Sequence, residues 1–140
     1  MAREQVDSSE VIALDIVSEA DLISVRQALR GEADRVGLGL VDATKLITAG
    51  SELTRNILAH ATRGWLRIEQ VVAGGRQGVR ATFSDQGPGI EDLDAALSDG
   101  FSTNGSLGLG LPGSRRLVDD LQVTSTPGSG TTVVIVKWGR

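Results

Sequence analysis

Glu52 and Asn56 stand four residues apart in a stretch without proline, and His60 follows four further on. On an α-helix this spacing puts all three on one line, each about a turn beyond the last. An asparagine offers a neutral, hard oxygen of the kind that ligates magnesium, an ion that keeps several waters and takes further oxygens from substrate phosphates. A carboxylate one turn away can take the proton of an attacking hydroxyl or water. The same pair also fits a solvated helix face, because polar residues at i and i+4 are common on helices. Leu53, Ile57 and Ala61 each follow a member of the polar line by one position, about 100° round, so the line borders a buried face.

Two later segments bring complementary chemistry. Residues 85–89 read DQGPG and follow directly on a β-rich run, which sets Asp85 at the end of a strand. A carboxylate there can accept the exocyclic amine of adenine, while Gly87 and Gly89 let the backbone pass close to a flat base. A tight turn that closes the strand is the other reading. Further on, Gly100, Gly105, Gly108, Gly110 and Gly113 punctuate a run that enters a helix, with Ser102, Thr103, Asn104 and Ser106 as added donors. Free backbone N–H groups and the helix dipole attract phosphate in such a place. The run is not a P-loop, since no lysine follows its glycines, and its spacing misses the Rossmann fingerprint. Each glycine costs about 0.5–1 kcal/mol in ordered structure, so a purely structural connection has little reason to hold so many. The three segments together point to ATP held with magnesium, and to phosphate chemistry.

Residues 11–17 alternate with a β-branched bias and read as a strand, and the Ser-Glu-Ala-Asp segment from Ser18 supplies an N-cap and acidic groups at the positive end of a helix. Apolar spacing predicts that helix over 19–36 and a second over 41–61. β-rich runs from Gly64 and from Gly78 form a hairpin around 73–77. A short helix is expected from Ile90 to about Ser98, and a third with Pro112 in its first turn runs to about Asp120. A last hairpin turns at 128–130. Helices grouped with hairpins, and no regular βαβ units, predict an α+β fold: a two-layer sandwich with helices on one face of a mixed, mostly antiparallel sheet. Residues 11–140 read as a single domain and 1–10 as a flexible segment.

Composition narrows the function. The 140 residues contain no cysteine, which excludes disulfides, thiolate metal sites and thiol nucleophiles. A net charge of -4, with two Phe, two Trp and no Tyr, offers neither a general pull on nucleic acid nor many stacking platforms. No apolar run approaches the roughly 20 residues that span a bilayer, and the start of the chain lacks the pattern of a secretion signal. A cytoplasmic protein with neither nucleic acid nor membrane among its partners is expected.

SELTRN from Ser51, DQGPG from Asp85, GLGL from Gly108 and GSGT from Gly128 resemble, in order, the N, G1, G2 and G3 boxes of the GHKL ATPase superfamily. Within it, the size, the DGFSTNGSLGLGLPG segment and the VKW ending look most like the switch kinases of the stressosome, serine/threonine kinases related to anti-sigma-factor kinases. The resemblance implies the Bergerat-type sandwich, with ATP and Mg2+ as cofactors. It makes Asn56 the magnesium ligand, Glu52 the general base and Asp85 the reader of adenine, with Gly87 and Gly89 flanking the base and Thr131 near both. Gly105, Ser106, Leu107, Gly108, Leu109 and Gly110 would form a lid over the phosphates. The implied activity is phosphorylation of serine or threonine in STAS-domain scaffold or antagonist proteins of a partner-switching pathway, with activation of a PP2C-type phosphatase by binding. Two alternatives stand beside it: an anti-sigma-factor kinase that sequesters a sigma factor, and a nucleotide-gated binding module without transfer. His60 is left between a phosphate contact and a packed histidine.

Overall fold

Val25, Leu29 and Ala33 recur at intervals of four and are fully buried, which fixes the inward stripe of helix α1, Ala20–Arg35. Just ahead of it, the N–H groups of Val17 and Ser18 donate to Asp21 Oδ2 at 2.8 and 3.0 Å, and these bonds hold the Asp21 carboxyl below its usual pKa. Helix α2, Leu40–His60, buries Ala43, Leu46, Leu53 and Ile57 in the same way. Both helices lie close to their expected bounds. The computed structural model describes residues 5–6, 11–90, 97 and 111–139; the short helix expected from Ile90 to Ser98 lies, apart from its first residue and Leu97, outside them.

The remaining elements are strands β1 (Gln5–Val6), β2 (Ile12–Ile16), β3 (Gly64–Ala73) and β4 (Arg76–Asp85), helix α3 (Leu111–Leu117), and strands β5 (Asp120–Thr126) and β6 (Gly130–Trp138). They form one sheet in the order β1-β3-β4-β6-β5, with β2 also on the outer edge of β3. Every pairing among the described strands is antiparallel, so the sheet is less mixed than the sequence suggested. Hairpins connect β3 to β4 and β5 to β6 directly, and with every pairing antiparallel no parallel crossover is required. Within the stretch expected to be flexible, Gln5 and Val6 pair with Val72 and Val71.

Three boundaries differ from expectation. The β3–β4 loop contains only Gly74 and Gly75, whose φ angles of 59° and 79° suit a two-residue hairpin turn. Helix α3 stops at Leu117, because the Asp119 N–H donates to Val136 O and Asp119 Oδ2 accepts the Trp138 N–H at 2.6 Å. Those bonds draw the chain into the sheet before another helical turn can form. Helix α3 also starts one residue before Pro112, which still falls in its first turn.

The core lies between α1, α2 and one sheet face, where Leu66, Ile68, Ala81, Phe83 and Ile135 meet the helices. On the other face, the buried carboxylate of Glu69 takes Arg67 at 2.7 Å and Arg80 at 2.7 Å. Trp65 stands 45% exposed on that face, and the Trp138 ring lies 5.4 Å from the Arg76 guanidinium. Lys137, pointing the opposite way, sits between Asp42 of α2 at 3.4 Å and Asp119 at 3.6 Å.

One side chain ties the end of β4 to the last hairpin. Ser125 Oγ accepts the Ile90 N–H at 2.7 Å and donates to Gly130 O at 3.1 Å. The Gly128 N–H donates to Pro88 O at 2.7 Å alongside. The 85–90 segment is thus bonded to β5 and to the β5–β6 turn. Ser125→Ala leaves the Ile90 N–H and the Gly130 carbonyl each without this partner, and should lower unfolding free energy by about 1–3 kcal/mol. Denaturant titration checks it; an unchanged midpoint would show that the hydroxyl holds nothing.

Candidate functional site

Where the C-terminal half of α2 passes over the ends of β4 and β6, a cavity opens between the layers. Its apolar floor comes from Leu53, Ile57, Phe83, Val133, Ile90 and Leu111. Four polar side chains border it: Asn56 and His60 from α2, Asp85 from the end of β4, and Thr131 from the start of β6. A flat apolar group can slide against such a floor while its polar edge meets the rim.

Strand register places the rim. Asp85 is paired with Gly64 on one side and with Thr131 on the other. Its Oδ1 accepts the Gly87 N–H at 2.8 Å, which turns the chain sharply out of the strand. Gly89 has φ of 78°, and a Cβ there would lie 2.5 Å from Thr126 O. Only glycine suits that position, because both the backbone angle and the space exclude a side chain. Thr131 Oγ1 lies 2.9 Å from Ser125 Oγ. Ser125 already gives its one proton to Gly130 O, so Thr131 is the donor in this pair and keeps its oxygen lone pairs as acceptors.

Asn56, Asp85, Gly89 and Thr131 therefore line one cavity, as does His60. Gly87 packs just behind it, where a Cβ would come within 2.7 Å of Ala61 Cβ. Glu52 is not a wall of the cavity. It stands one helical turn from Asn56, and its carboxylate takes Arg55 Nη1 at 3.1 Å with both side chains about half exposed, 43% and 51%. The six lid positions, Gly105, Ser106, Leu107, Gly108, Leu109 and Gly110, lie outside the described residues. Among those described, no group of three or more His, Asp or Glu gathers as a metal cluster, and no helix is long and apolar enough to cross a membrane. Asn56 is the one hard-oxygen donor proposed for magnesium, and a single protein donor fits an ion that otherwise takes water and phosphate oxygens.

Sequence reasoning missed Ser125, Arg55 and the apolar floor. Ser125 carried a faint signal, since Leu121, Val123 and Ser125 alternate on one face of β5 and the serine takes the third inward position. Phe83 and Val133 are ordinary inward strand positions, indistinguishable by pattern from the rest of the core. Arg55 reads as a surface charge until its bond to Glu52 is seen.

The family described as histidine kinase-, DNA gyrase B- and HSP90-like ATPase matches residues 41–138. The chain is 45% identical to the serine/threonine-protein kinase RsbT of Bacillus subtilis (strain 168), over 89% of this chain and 94% of that protein. It is 32% identical to an anti-sigma F factor of Thermoanaerobacter sp. (strain X514), over 65% of this chain and 66% of that protein. A solved SiaB-SiaC complex from Pseudomonas aeruginosa shares the fold, with a TM-score of 0.53 at 12% identity over 91% of this chain and 89% of that one. The two-layer fold, the cavity and these matches agree: the chain belongs to the family of histidine kinase-, DNA gyrase B- and HSP90-like ATPases, and within it to the serine/threonine-protein kinases.

Proposed function

We propose that this protein transfers the γ-phosphoryl group of ATP to a serine or threonine of a STAS-domain protein and so switches the partners which that protein binds. The observation that carries the reading is the convergence of Asn56, Asp85 and Thr131 on one apolar-floored cavity, with Glu52 a turn outside it. The floor holds the base, Asp85 and the lone pairs of Thr131 accept its exocyclic amine, and Gly87 and Gly89 let the backbone lie against its edge. Asn56 would hold Mg2+, which would neutralise charge on the phosphates. The glycine run from Gly105 to Gly110 is assigned, in this proposal, to the phosphates.

In the transfer step, the acceptor hydroxyl oxygen forms a bond to the γ-phosphorus as the bond from that phosphorus to the β,γ-bridging oxygen breaks, and ADP leaves. Glu52 takes the hydroxyl proton. The loose transition state leaves the protein mainly positioning and electrostatics to supply, which suits a site with one carboxylate outside a pocket that fixes the nucleotide. Arg55 bonds one oxygen of Glu52, Oε1, at 3.1 Å, and the carboxylate's other acceptor positions receive the incoming hydroxyl. Activation of a PP2C-type phosphatase by binding belongs to the same proposal. A second reading, capture of a sigma factor by a kinase of the same chemistry, is favoured by the anti-sigma F factor relatives.

Intact-mass measurement of a candidate STAS-domain protein, after incubation with the chain and Mg-ATP, should show a gain of about 80 Da, one phosphoryl group. ATP binding without any gain in mass would leave a nucleotide-gated binding module in place of the kinase. Glu52→Gln should keep nucleotide affinity and lower the transfer rate by about 10²–10⁴-fold, the usual contribution of a general base. Asn56→Ala should abolish the magnesium dependence of nucleotide binding, and equal affinity in variant and wild type would remove Asn56 from the site. Asp85→Asn should weaken ATP binding by about 1–3 kcal/mol, the cost of mismatching a buried polar partner, and should erode the preference for ATP over GTP; calorimetry with both nucleotides decides it.

A further inference from the structure

Across one end of the sheet, three residues stand in a row on neighbouring strands: Ser125 of β5 is paired with Thr131 of β6, and Thr131 with Asp85 of β4. Thr131 and Asp85 line the cavity, and Ser125 lies behind them, outside its walls. A serine hydroxyl has one proton and two lone pairs, and at Ser125 all three are committed. The proton goes to Gly130 O at 3.1 Å, one lone pair takes the Ile90 N–H at 2.7 Å, and the other faces Thr131 Oγ1 at 2.9 Å. Ser125 has no second proton to give, so the hydrogen of that last bond belongs to Thr131. A hydroxyl on a cavity wall can ordinarily turn its proton towards whatever enters. Here the neighbouring strand has already turned it away.

We propose that Ser125 sets the purine preference of this kinase, by holding the Thr131 proton out of the cavity so that the edge presented to the base consists of acceptors alone. The inference rests on the nucleotide reading above and deepens it. The exocyclic amine of adenine carries two N–H groups, and the cavity offers it two acceptors, the Asp85 carboxylate and the Thr131 oxygen. Asp85 Oδ1 takes the Gly87 N–H at 2.8 Å, and the second carboxylate oxygen serves the amine. A 6-oxo purine brings an oxygen to the same place, where it meets lone pairs and finds no proton. Polar groups left facing one another without a hydrogen bond are what makes a site turn an analogue away. Ser125 does not itself meet the base, so it is a positioning residue that acts through Thr131. Without its oxygen, the Thr131 hydroxyl is free to rotate and to donate to a 6-oxo group.

The experiment measures binding of Mg-ATP and Mg-ITP by calorimetry to wild type, Ser125→Ala, Ser125→Thr, Thr131→Val and the Ser125→Ala/Thr131→Val double variant. Hypoxanthine, the base of ITP, carries an oxygen where adenine carries its amine and lacks the additional amine of guanine. The ratio of two affinities on one preparation cancels any loss of folded protein, which matters because Ser125→Ala is expected to be less stable. Wild type should prefer ATP. Ser125→Ala should reduce that preference by about tenfold, the worth of one well-placed hydrogen bond, and Ser125→Thr, which keeps the oxygen, should retain it. In the Thr131→Val background there is no hydroxyl to turn, and Ser125→Ala should leave the ratio unchanged. A parallel loss of both nucleotides in Ser125→Ala, or an equal change of ratio with and without the Thr131 hydroxyl, would overturn the inference. The two proposals fail separately. A preference for ATP that persists in Ser125→Ala refutes the role of Ser125 and leaves the nucleotide site, whereas a wild type that binds neither nucleotide, or does not tell them apart, refutes the reading of the cavity and the inference with it.

Discussion

Gly130 presses against the backbone of Asp85 and Gln86 so closely that no side chain fits: a Cβ there would collide with the Asp85 carbonyl and lie 2.9 Å from Gln86 Cα, and its φ is 115°. That contact brings the start of β6 hard against the end of β4. Thr131 then has to pair with Asp85, and the two polar groups face the same cavity. The Ser125 hydroxyl secures the arrangement from the neighbouring strand, and Gly128 does so from the turn. A glycine without direct access to the cavity thus decides where its polar edge lies. Any β-carbon there would push the strand ends apart, and the floor formed by Phe83 and Val133 would separate with them.

The helical layer answers a different demand. Helix α2 carries Asn56 and Glu52, yet its own placement is set far from both. Its buried stripe meets the sheet along most of its length, and its first turn is fastened through Asp42 to Lys137. Lys137 belongs to the same strand as Thr131, so one strand holds both the cavity rim and the far end of the helix. Buried ion pairs of this sort are weak sources of stability but costly to break singly, because the survivor is left as an uncompensated charge.

Much of this was legible because the relevant groups obey short periodicities. The line of Glu52, Asn56 and His60 needs only the helical repeat, and Asp85 needs only the observation that a β-rich run ends there. The distinction between Asn56 inside the cavity and Glu52 outside it was not legible. It depends on where the sheet lies relative to α2, and the i, i+4 rule is silent about that. Ser125 was hidden for a related reason: a serine in an edge strand looks the same whether its hydroxyl meets water or two backbone groups of another segment. The end of α3 went unseen because its propensity continues to Asp120, while bonds from Asp119 to Val136 and Trp138 pull the chain into the sheet. Tertiary bonding overrode local preference there.

The open sheet face, with Trp65 on β3 and Trp138 beside Arg76, has a spectroscopic consequence. These are the chain's only two indoles, and the chain has no tyrosine. Neither indole lines the cavity. Near-ultraviolet absorption and intrinsic emission therefore arise almost wholly from the side of the sheet that faces away from the helices. Trp65, paired with Ser84 next to Asp85, is the nearer witness to the cavity, with the sheet between them. Emission from this protein is accordingly a native reporter of that outer surface and whatever comes to cover it, while occupancy of the cavity calls for a chromophore carried by the ligand.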